Sequence, residues 1–251
     1  MPRIVSLVPS VTETLVALGT PPVGCTKFCK QPGIPTVGGT KNPDIPAIEH
    51  LLPRMVLVND EENRIEDVEA LEELGIETVS ISPRSVEDVS GAILAIADAA
   101  NVVAPDDFEA TLWKGWLEQR RAPGPRRTAF VPVWAKPWMT FNGATYASSL
   151  LALLGVDSVY ADADLRYPEV KIEAARDRAP EMVLLPSEPY PFQERHLGRV
   201  SEAFPGAQVA LIDGEDLFWW GIRTPHAVRR VSAALDALAS VAPIAGDEVT
   251  P

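Results

Sequence analysis

Short β-rich apolar runs alternate with helical patterns along this chain, and the alternation occurs twice. The turns between these segments are short, and several of them contain glycine. This order predicts an α/β fold with mainly parallel sheets flanked by helices. Because Pro123-Gly124-Pro125 interrupts the pattern before it restarts, we expect two such lobes.

The first lobe is predicted from Arg3–Val8, a strand candidate. Ser10 and Glu13 have the spacing of a capping box, so we expect Ser10 to cap the first helix and Gly19 to end it. The later elements are predicted as strand Met55–Val58, helix Ile65–Leu74 stopped by Gly75, strand Glu77–Ile81, and a helix from Ser85 to about Ala100.

The second lobe repeats this organisation after a longer helix from about Pro105 to Arg121. Its predicted elements are strand Thr128–Val133, helices Tyr146–Leu154 and Ile172–Arg178, strand Met182–Leu185, helix Phe192–Ala203, strand Gln208–Ile212 and helix Pro225–Val241. We therefore expect an N-terminal lobe over residues 1–104, a long bridging helix over 105–122 and a C-terminal lobe over 123–251.

The charge balance excludes several classes of partner. Lys and Arg number 22 against 35 Asp and Glu, which gives a net charge of −13. Nucleic acid and anionic membranes require clustered basic residues, so neither is expected as a partner. No run approaches the ~18 apolar residues of a membrane span. The run Ile4–Val8 is too short for the apolar segment of a signal peptide, and we expect a cytoplasmic protein.

Metal and disulfide sites are not expected. The two cysteines, Cys25 and Cys29, are interpreted as reduced thiols in a loop. The histidines His50, His196 and His226 lie far apart and match no metal-ligand spacing.

Aromatic residues are distributed unevenly and point to a ligand surface. Residues 1–100 contain only Phe28, whereas the other sixteen aromatic residues follow residue 100. Two aromatic segments, Val133–Gly143 and Asp213–Gly221, directly follow predicted strands, where ligands bind in open α/β sheets. We interpret Trp134, Trp138, Trp219 and Trp220 as ligand contacts, because rigid aromatic rings supply large contact areas at low entropic cost. The alternative is that these residues only fill a core.

Polar residues follow two further strands. Glu61 and Asn63 lie after Met55–Val58, and Glu188 and Tyr190 lie in a proline-rich loop after Met182–Leu185. These side chains are candidates for hydrogen bonds to a ligand, or equally for a solvated helix start.

An enzyme remains an alternative. The acids that could supply an acid/base pair are Glu61, Glu62, Glu188, Asp213, Glu215 and Asp216. No nucleophile elbow, phosphate-binding loop or dinucleotide fingerprint is present in the sequence, and no catalytic residue is assigned.

The assembled segments resemble the cobalamin-binding branch of the class III (helical-backbone) substrate-binding proteins. The resemblance covers nearly the whole chain and rests on Arg3–Glu13, Leu18-Gly19, Val23-Gly24, Leu52–Val58, Leu71–Ile76 and Ala179–Leu185. It implies two α/β lobes, a rigid bridging helix, and a corrinoid held in the cleft between the lobes. The iron-siderophore and haem binders share this scaffold, so the resemblance leaves the ligand open among these macrocycles and chelates.

The resemblance also implies which residues contact the ligand. The positions that match corrinoid-packing residues are Phe28, Thr40, Lys41, Asn42, the segment Trp134–Phe141 with Trp138 and Met139, and the pair Trp219 and Trp220. Importer proteins carry an acidic residue on each lobe for docking onto a membrane permease, and Pro46 and Gly221 occupy those positions here. With no signal segment expected, the resemblance implies a cytoplasmic member separated from the importer.

Two hypotheses of different classes follow. The first is a non-catalytic cytoplasmic protein that binds a corrinoid or a similar macrocycle. The second is an enzyme that modifies a cofactor or its precursor with Glu61, Glu62 or Glu188.

Overall fold

The computed structural model describes residues 2–104 and 126–240, and these form two compact units. The first comprises 2–104 and 219–225, and the second comprises 126–218 and 226–240. The predicted bridging helix at 105–122 lies outside the described residues. Among those described, no helix is both long enough and apolar enough to cross a membrane.

The first unit is built on a parallel four-stranded sheet. Its strands are β1 (Ile4–Ser6), β2 (Gly24–Cys25), β3 (Met55–Val58) and β4 (Glu77–Ser80), in the spatial order β2-β1-β3-β4. The helices are α1 (Pro9–Ala17), α2 (Ile45–His50), α3 (Ile65–Glu73) and α4 (Val89–Ala99). Strand β1 pairs with both β2 and β3 in parallel register. The continuous apolar run of β3 is buried on both sides, as a central parallel strand requires.

The predicted N-terminal cap of α1 is wrong. Val8 occupies the cap position and makes no side-chain cap hydrogen bond, while Ser10 lies inside the helix. Its hydroxyl oxygen is buried without a hydrogen-bond partner. Pro9 at the first turn begins the helix instead, since its fixed φ suits that position. The predicted stop at Gly19 is confirmed, because Gly19 has a φ of +73°.

The second unit contains another parallel four-stranded sheet. Its strands are β5 (Arg127–Phe130), β8 (Val156–Ser158), β9 (Met182–Pro186) and β10 (Gln208–Ile212), in the spatial order β10-β9-β5-β8. Between β5 and β8, an antiparallel hairpin pairs β6 (Trp134–Ala135) with β7 (Trp138–Met139). The helices are α5 (Tyr146–Leu153), α6 (Ile172–Asp177), α7 (Glu194–Ala203), α8 (Gly214–Phe218) and α9 (Thr224–Ser240).

The segment 219–225 groups with the first unit, although the sequence pattern placed it in the second lobe. Gly221 has a φ of +109° and lies against Thr14, whose hydroxyl oxygen accepts a hydrogen bond from the Ile222 N–H at 3.4 Å. The Arg223 guanidinium donates to both carboxylate oxygens of Glu13, at 2.7 and 3.2 Å. These contacts hold the segment against α1.

Candidate functional site

Phe28 lies in a tight turn at the carboxyl end of β2. The turn is closed by the Cys29 N–H, which donates to the Thr26 carbonyl at 3.1 Å. The Phe28 ring is 48% exposed, and the Lys27 ammonium lies 5.1 Å from its centroid. The ring also lies beside Gly39, where an added Cβ would be 3.3 Å from it. A large flat side chain is therefore presented to solvent next to a cation.

The loop that carries Thr40, Lys41 and Asn42 is fixed to the loop after β3. The Asn63 side-chain amide donates to the Thr40 carbonyl at 3.0 Å, and the Lys41 ammonium donates to the Glu61 carbonyl at 2.7 Å. Thr40 is half-buried, while Lys41 and Asn42 are exposed. Loss of hydration lowers the pKa of Lys41, and Glu62 opposes this shift. Thr40 and Lys41 are therefore held against the loop that contains Glu61 and Asn63.

Glu61 and Asn63 have different roles in the structure. The Arg84 guanidinium binds the Glu61 carboxylate at 2.5 Å and also pairs with Asp60. Asn63 is buried, and its side-chain oxygen accepts the Asn59 N–H at 2.8 Å. The predicted ligand contact by Asn63 is thus corrected to a structural one, because both ends of its amide bind the backbone.

Trp219 and its neighbour Trp220 also differ. Trp219 is half-buried, with the Lys30 ammonium 5.9 Å and the Arg223 guanidinium 4.9 Å from its ring. Trp220 is only 3% exposed and belongs to the core. Trp219 therefore remains a candidate contact, whereas burial corrects the role of Trp220 to packing.

In the second unit, Trp134 and Trp138 lie on the β6–β7 hairpin rather than in an irregular loop. Trp134 is 42% exposed and contacts Tyr190 edge to face, with ring centroids 5.5 Å apart. Trp138 stacks on Phe192 at 6.0 Å, and Tyr190 contacts Phe192 at 4.6 Å. We call these four rings the aromatic cluster. Two separate post-strand segments build it, at the carboxyl ends of β5 and β9.

His196 supports the aromatic cluster, and sequence reasoning missed it. Its ring contacts both Tyr190 and Phe192, and its Nδ1 accepts the Gln193 N–H at 2.9 Å at the start of α7. The available signal was the spacing of Gln193 and His196, which is that of a capping box.

The remaining predicted residues of the second unit are Met139, Phe141 and Glu188. Met139 is half-buried in β7. Phe141 is fully buried and contacts Phe218 edge to face at 6.0 Å, so its predicted ligand contact is corrected to a packing role. Glu188 lies against Gly214, whose N–H donates to the neighbouring Ser187 hydroxyl at 2.9 Å.

Several acids proposed for catalysis stabilise the fold. Asp216 is 3% exposed at its side chain and pairs with Arg230 at 2.5 Å. Asp213 accepts the Asp216 N–H at 3.1 Å at the start of α8. Across residues 2–104 and 126–240, no group of three or more His, Cys, Asp and Glu side chains is arranged to hold a metal ion.

Comparison with known proteins identifies several that are similar to this chain. No protein-family model matches the chain. The vitamin B12-binding protein of Salmonella paratyphi A is 24% identical over 195 residues, which cover 73% of this chain and 72% of that protein. The vitamin B12-binding protein of Pectobacterium carotovorum is 21% identical over 198 residues, with coverages of 74% and 72%.

Solved structures with a similar fold include another vitamin B12-binding protein. The periplasmic vitamin B12-binding protein of Vibrio cholerae superposes with a TM-score of 0.76 at 21% identity, covering 96% of this chain and 98% of that one. A periplasmic haem-binding protein from Pseudomonas aeruginosa gives a TM-score of 0.76 at 19% identity, with coverages of 97% and 95%.

The chain therefore has the α/β architecture of two-lobe substrate-binding proteins. Within that architecture its relatives include vitamin B12-binding proteins, and the predicted resemblance to the cobalamin-binding branch is confirmed at low identity.

Proposed function

We propose that the protein is a non-catalytic binding protein for a corrinoid or a similar flat macrocycle. The observation that carries this proposal is the aromatic cluster, in which two post-strand segments present Trp134, Trp138 and Tyr190 together. Phe28 and Trp219 are two further rings that are partly exposed, both on the first unit. The vitamin B12-binding and haem-binding relatives support a tetrapyrrole-like ligand.

The physical basis is the burial of flat apolar area. Aromatic rings have few rotatable bonds, so they lose little entropy when a planar ligand packs on them. Trp134 is already oriented by Tyr190, and Trp138 by Phe192. The protein therefore orders part of its contact surface before a ligand arrives, which lowers the entropic cost of binding.

Calorimetric titration with cyanocobalamin, cobinamide, haemin and a ferric siderophore tests the proposal. Saturable one-site binding of a corrinoid or of haemin supports it and identifies which macrocycle is bound, whereas binding of the siderophore alone would overturn it. Absence of binding to every compound would overturn it. Chromatography of the recovered ligand in the same experiment tests for turnover, and a modified product would favour the enzyme hypothesis.

Substitution of the exposed tryptophans separates binding from folding. Trp134→Ala and Trp219→Ala are each expected to weaken binding by about 1–3 kcal/mol with little change in Tm, because both rings are partly exposed. Trp220→Ala is the matched control for packing, and we expect it to lower stability by about 3–5 kcal/mol. Equal losses of stability in all three variants would show that these rings only fill the core.

Location in the cytoplasm is also a proposal. Cell fractionation with an antibody against the chain tests it, and recovery in the periplasmic or secreted fraction would overturn it.

A further inference from the structure

The aromatic cluster and the histidine beside it carry polar groups as well as ring faces. The indole N–H of Trp138, the hydroxyl of Tyr190 and Nε2 of His196 have no hydrogen-bond partner among the residues that the structure describes. All three side chains are half-buried. Among the buried and half-buried side chains of that part of the chain, only the Ser10 hydroxyl oxygen is both shielded from solvent and unpartnered. The three polar groups of the second unit are therefore open to solvent.

His196 presents a donor at Nε2 rather than a lone pair. Its Nδ1 accepts the Gln193 N–H at 2.9 Å in the capping box of α7, so Nδ1 carries no proton. The imidazole is then neutral, and its single N–H is on Nε2. A protonated ring nitrogen has no lone pair for a metal ion, but it can donate a hydrogen bond to an oxygen atom.

The three polar groups lie around one ring. Trp138, Tyr190 and His196 all contact Phe192, with centroid distances of 6.0, 4.6 and 5.6 Å. Phe192 itself is buried, at 3% exposed. The indole N–H and the Nε2–H can only donate, and the phenol hydroxyl can donate as well as accept. We call these three groups the donor triad. A single macrocycle that packs on the aromatic cluster can reach all of them.

Resting on the proposed function, we propose that the donor triad selects macrocycles that carry oxygen acceptors at their periphery. Amide carbonyls and carboxylates share this chemistry, and either can accept from the Trp138 indole, the Tyr190 hydroxyl and the His196 Nε2–H. A macrocycle with a hydrocarbon periphery would displace water from the same donors without replacing its hydrogen bonds. Because a desolvated donor without a partner costs free energy, such a ligand binds less tightly.

Three macrocycles in excess cyanide test this selection. Cyanide occupies both axial positions of the metal, so the protein contacts only the ring and its periphery. Dicyano-cobinamide carries amides, dicyano-haemin carries propionates, and the dicyano complex of ferric octaethylporphyrin carries only ethyl groups. The first two ligands distinguish an amide source of the acceptors from a carboxylate source, and the third has no acceptor at its periphery. Quenching of tryptophan fluorescence measures the affinity of each.

Tyr190→Phe and His196→Phe each remove one donor and keep an aromatic ring. For at least one of dicyano-cobinamide and dicyano-haemin, we expect each variant to bind about threefold to tenfold more weakly than the native chain, the range of a single hydrogen bond. The octaethylporphyrin complex should bind more weakly than that ligand, and within about twofold equally to the native chain and both variants.

Two controls separate donor loss from structural damage. His50→Phe makes the same substitution at an exposed histidine at the end of α2, outside the aromatic cluster, and should leave all affinities unchanged. His196→Phe also removes the acceptor of the Gln193 N–H, so its Tm is measured alongside. Tyr190→Phe removes only a hydroxyl and decides the outcome if His196→Phe does not fold.

The outcomes separate this inference from the proposed function. Equal losses for all three macrocycles would show that Tyr190 and His196 support ring packing, which would overturn the selection and leave macrocycle binding intact. Unchanged affinity of both variants for both acceptor ligands would overturn the assignment to these donors. A loss that appears only without cyanide would indicate metal coordination and would also overturn it. Failure of every macrocycle to bind would overturn both proposals together.

Discussion

At the residue scale, Cys29 lies at the centre of a small buried network of hydrogen bonds. Its sulfur is 3.2 Å from the hydroxyl oxygens of Thr12 and Thr26, and it is hydrogen-bonded to Cys25. The hydrogen bond from Cys25 is the largest cause that lowers the pKa of Cys29, from 9.0 to about 6, and burial opposes it. The same contact, with burial, raises the pKa of Cys25.

The Thr12 hydroxyl also donates to the Val8 carbonyl at 3.1 Å. Its single proton cannot serve both partners, so a neutral Cys29 thiol that donates to Thr12 would also satisfy the network. The ionised form instead depends on Cys25 and Thr26 as donors. The ionised and the neutral state of Cys29 therefore predict different dependences of stability on pH.

If Cys29 is ionised, stability depends on pH through the lowered pKa. A pKa lower in the folded chain than in the unfolded chain adds stability that is complete above about pH 9 and is lost as pH falls through about 6. We therefore expect the free energy of unfolding to exceed that of Cys29→Ser by a margin that grows by up to about 1.4 kcal/mol per pH unit between these values.

Urea denaturation of both proteins at three pH values within this range measures that margin. Cys25→Ala is the companion variant, because alanine has no side-chain donor, and it should make the margin less dependent on pH. A margin that stays constant across the range would show that Cys29 is a neutral thiol.

At the element scale, several strands and helices were predicted with bounds close to those of the structure. Strands Met55–Val58 and Gln208–Ile212 have the predicted bounds, and helix α3 differs by one residue. The sequence pattern missed β2 and the β6–β7 hairpin, because strands of two residues have no measurable periodicity. It also missed α8, since the run Asp213–Gly221 was interpreted as a loop.

The candidate site was less predictable than the fold. Trp219 and Trp220 are adjacent and chemically identical, yet one is half-buried and the other is in the core. Likewise Trp134 is exposed while Phe141, in the same segment, is fully buried. Which ring faces solvent depends on the tertiary packing of each segment, and residue type alone does not determine it.

Gly214, the first residue of α8, packs closely against the backbone of Glu188, and this contact leads to a prediction. A Cβ at residue 214 would lie 2.7 Å from the Glu188 carbonyl oxygen and even closer to its backbone nitrogen. We expect Gly214→Ala to destabilise the fold by about 1–3 kcal/mol, because backbone must move to admit the methyl group. It should also weaken macrocycle binding, since Tyr190 lies two residues beyond Glu188.

Gly198→Ala is the matched control, because it lies within α7 with no atom within 4 Å of an added Cβ. It is expected to stabilise the helix by up to about 1 kcal/mol. Thermal melting and ligand titration of both variants measure these effects, and an unchanged Tm in Gly214→Ala would show that the Glu188 loop is free to shift.

At the scale of the whole molecule, charge affects both the stability of the fold and the binding of a ligand. Thirteen excess negative charges give the chain a repulsive surface, while Lys27 lies over the exposed ring of Phe28. Dissolved salt screens both the repulsion and the attraction. Its effects on stability and on binding should therefore have opposite signs.

We expect an increase from about 20 to 300 mM NaCl to raise the Tm of the ligand-free protein by about 2–4 °C, because self-repulsion weakens. For a macrocycle with negative charge, the same increase should reduce the additional Tm shift on binding, because salt also screens its attraction to Lys27 beside the Phe28 ring. A neutral macrocycle should give a shift that hardly changes with salt. Differential scanning fluorimetry across a salt series, with Lys27→Gln alongside, measures all three effects. A ligand shift equally sensitive to salt in the variant and in the native chain would place the attraction elsewhere on the surface.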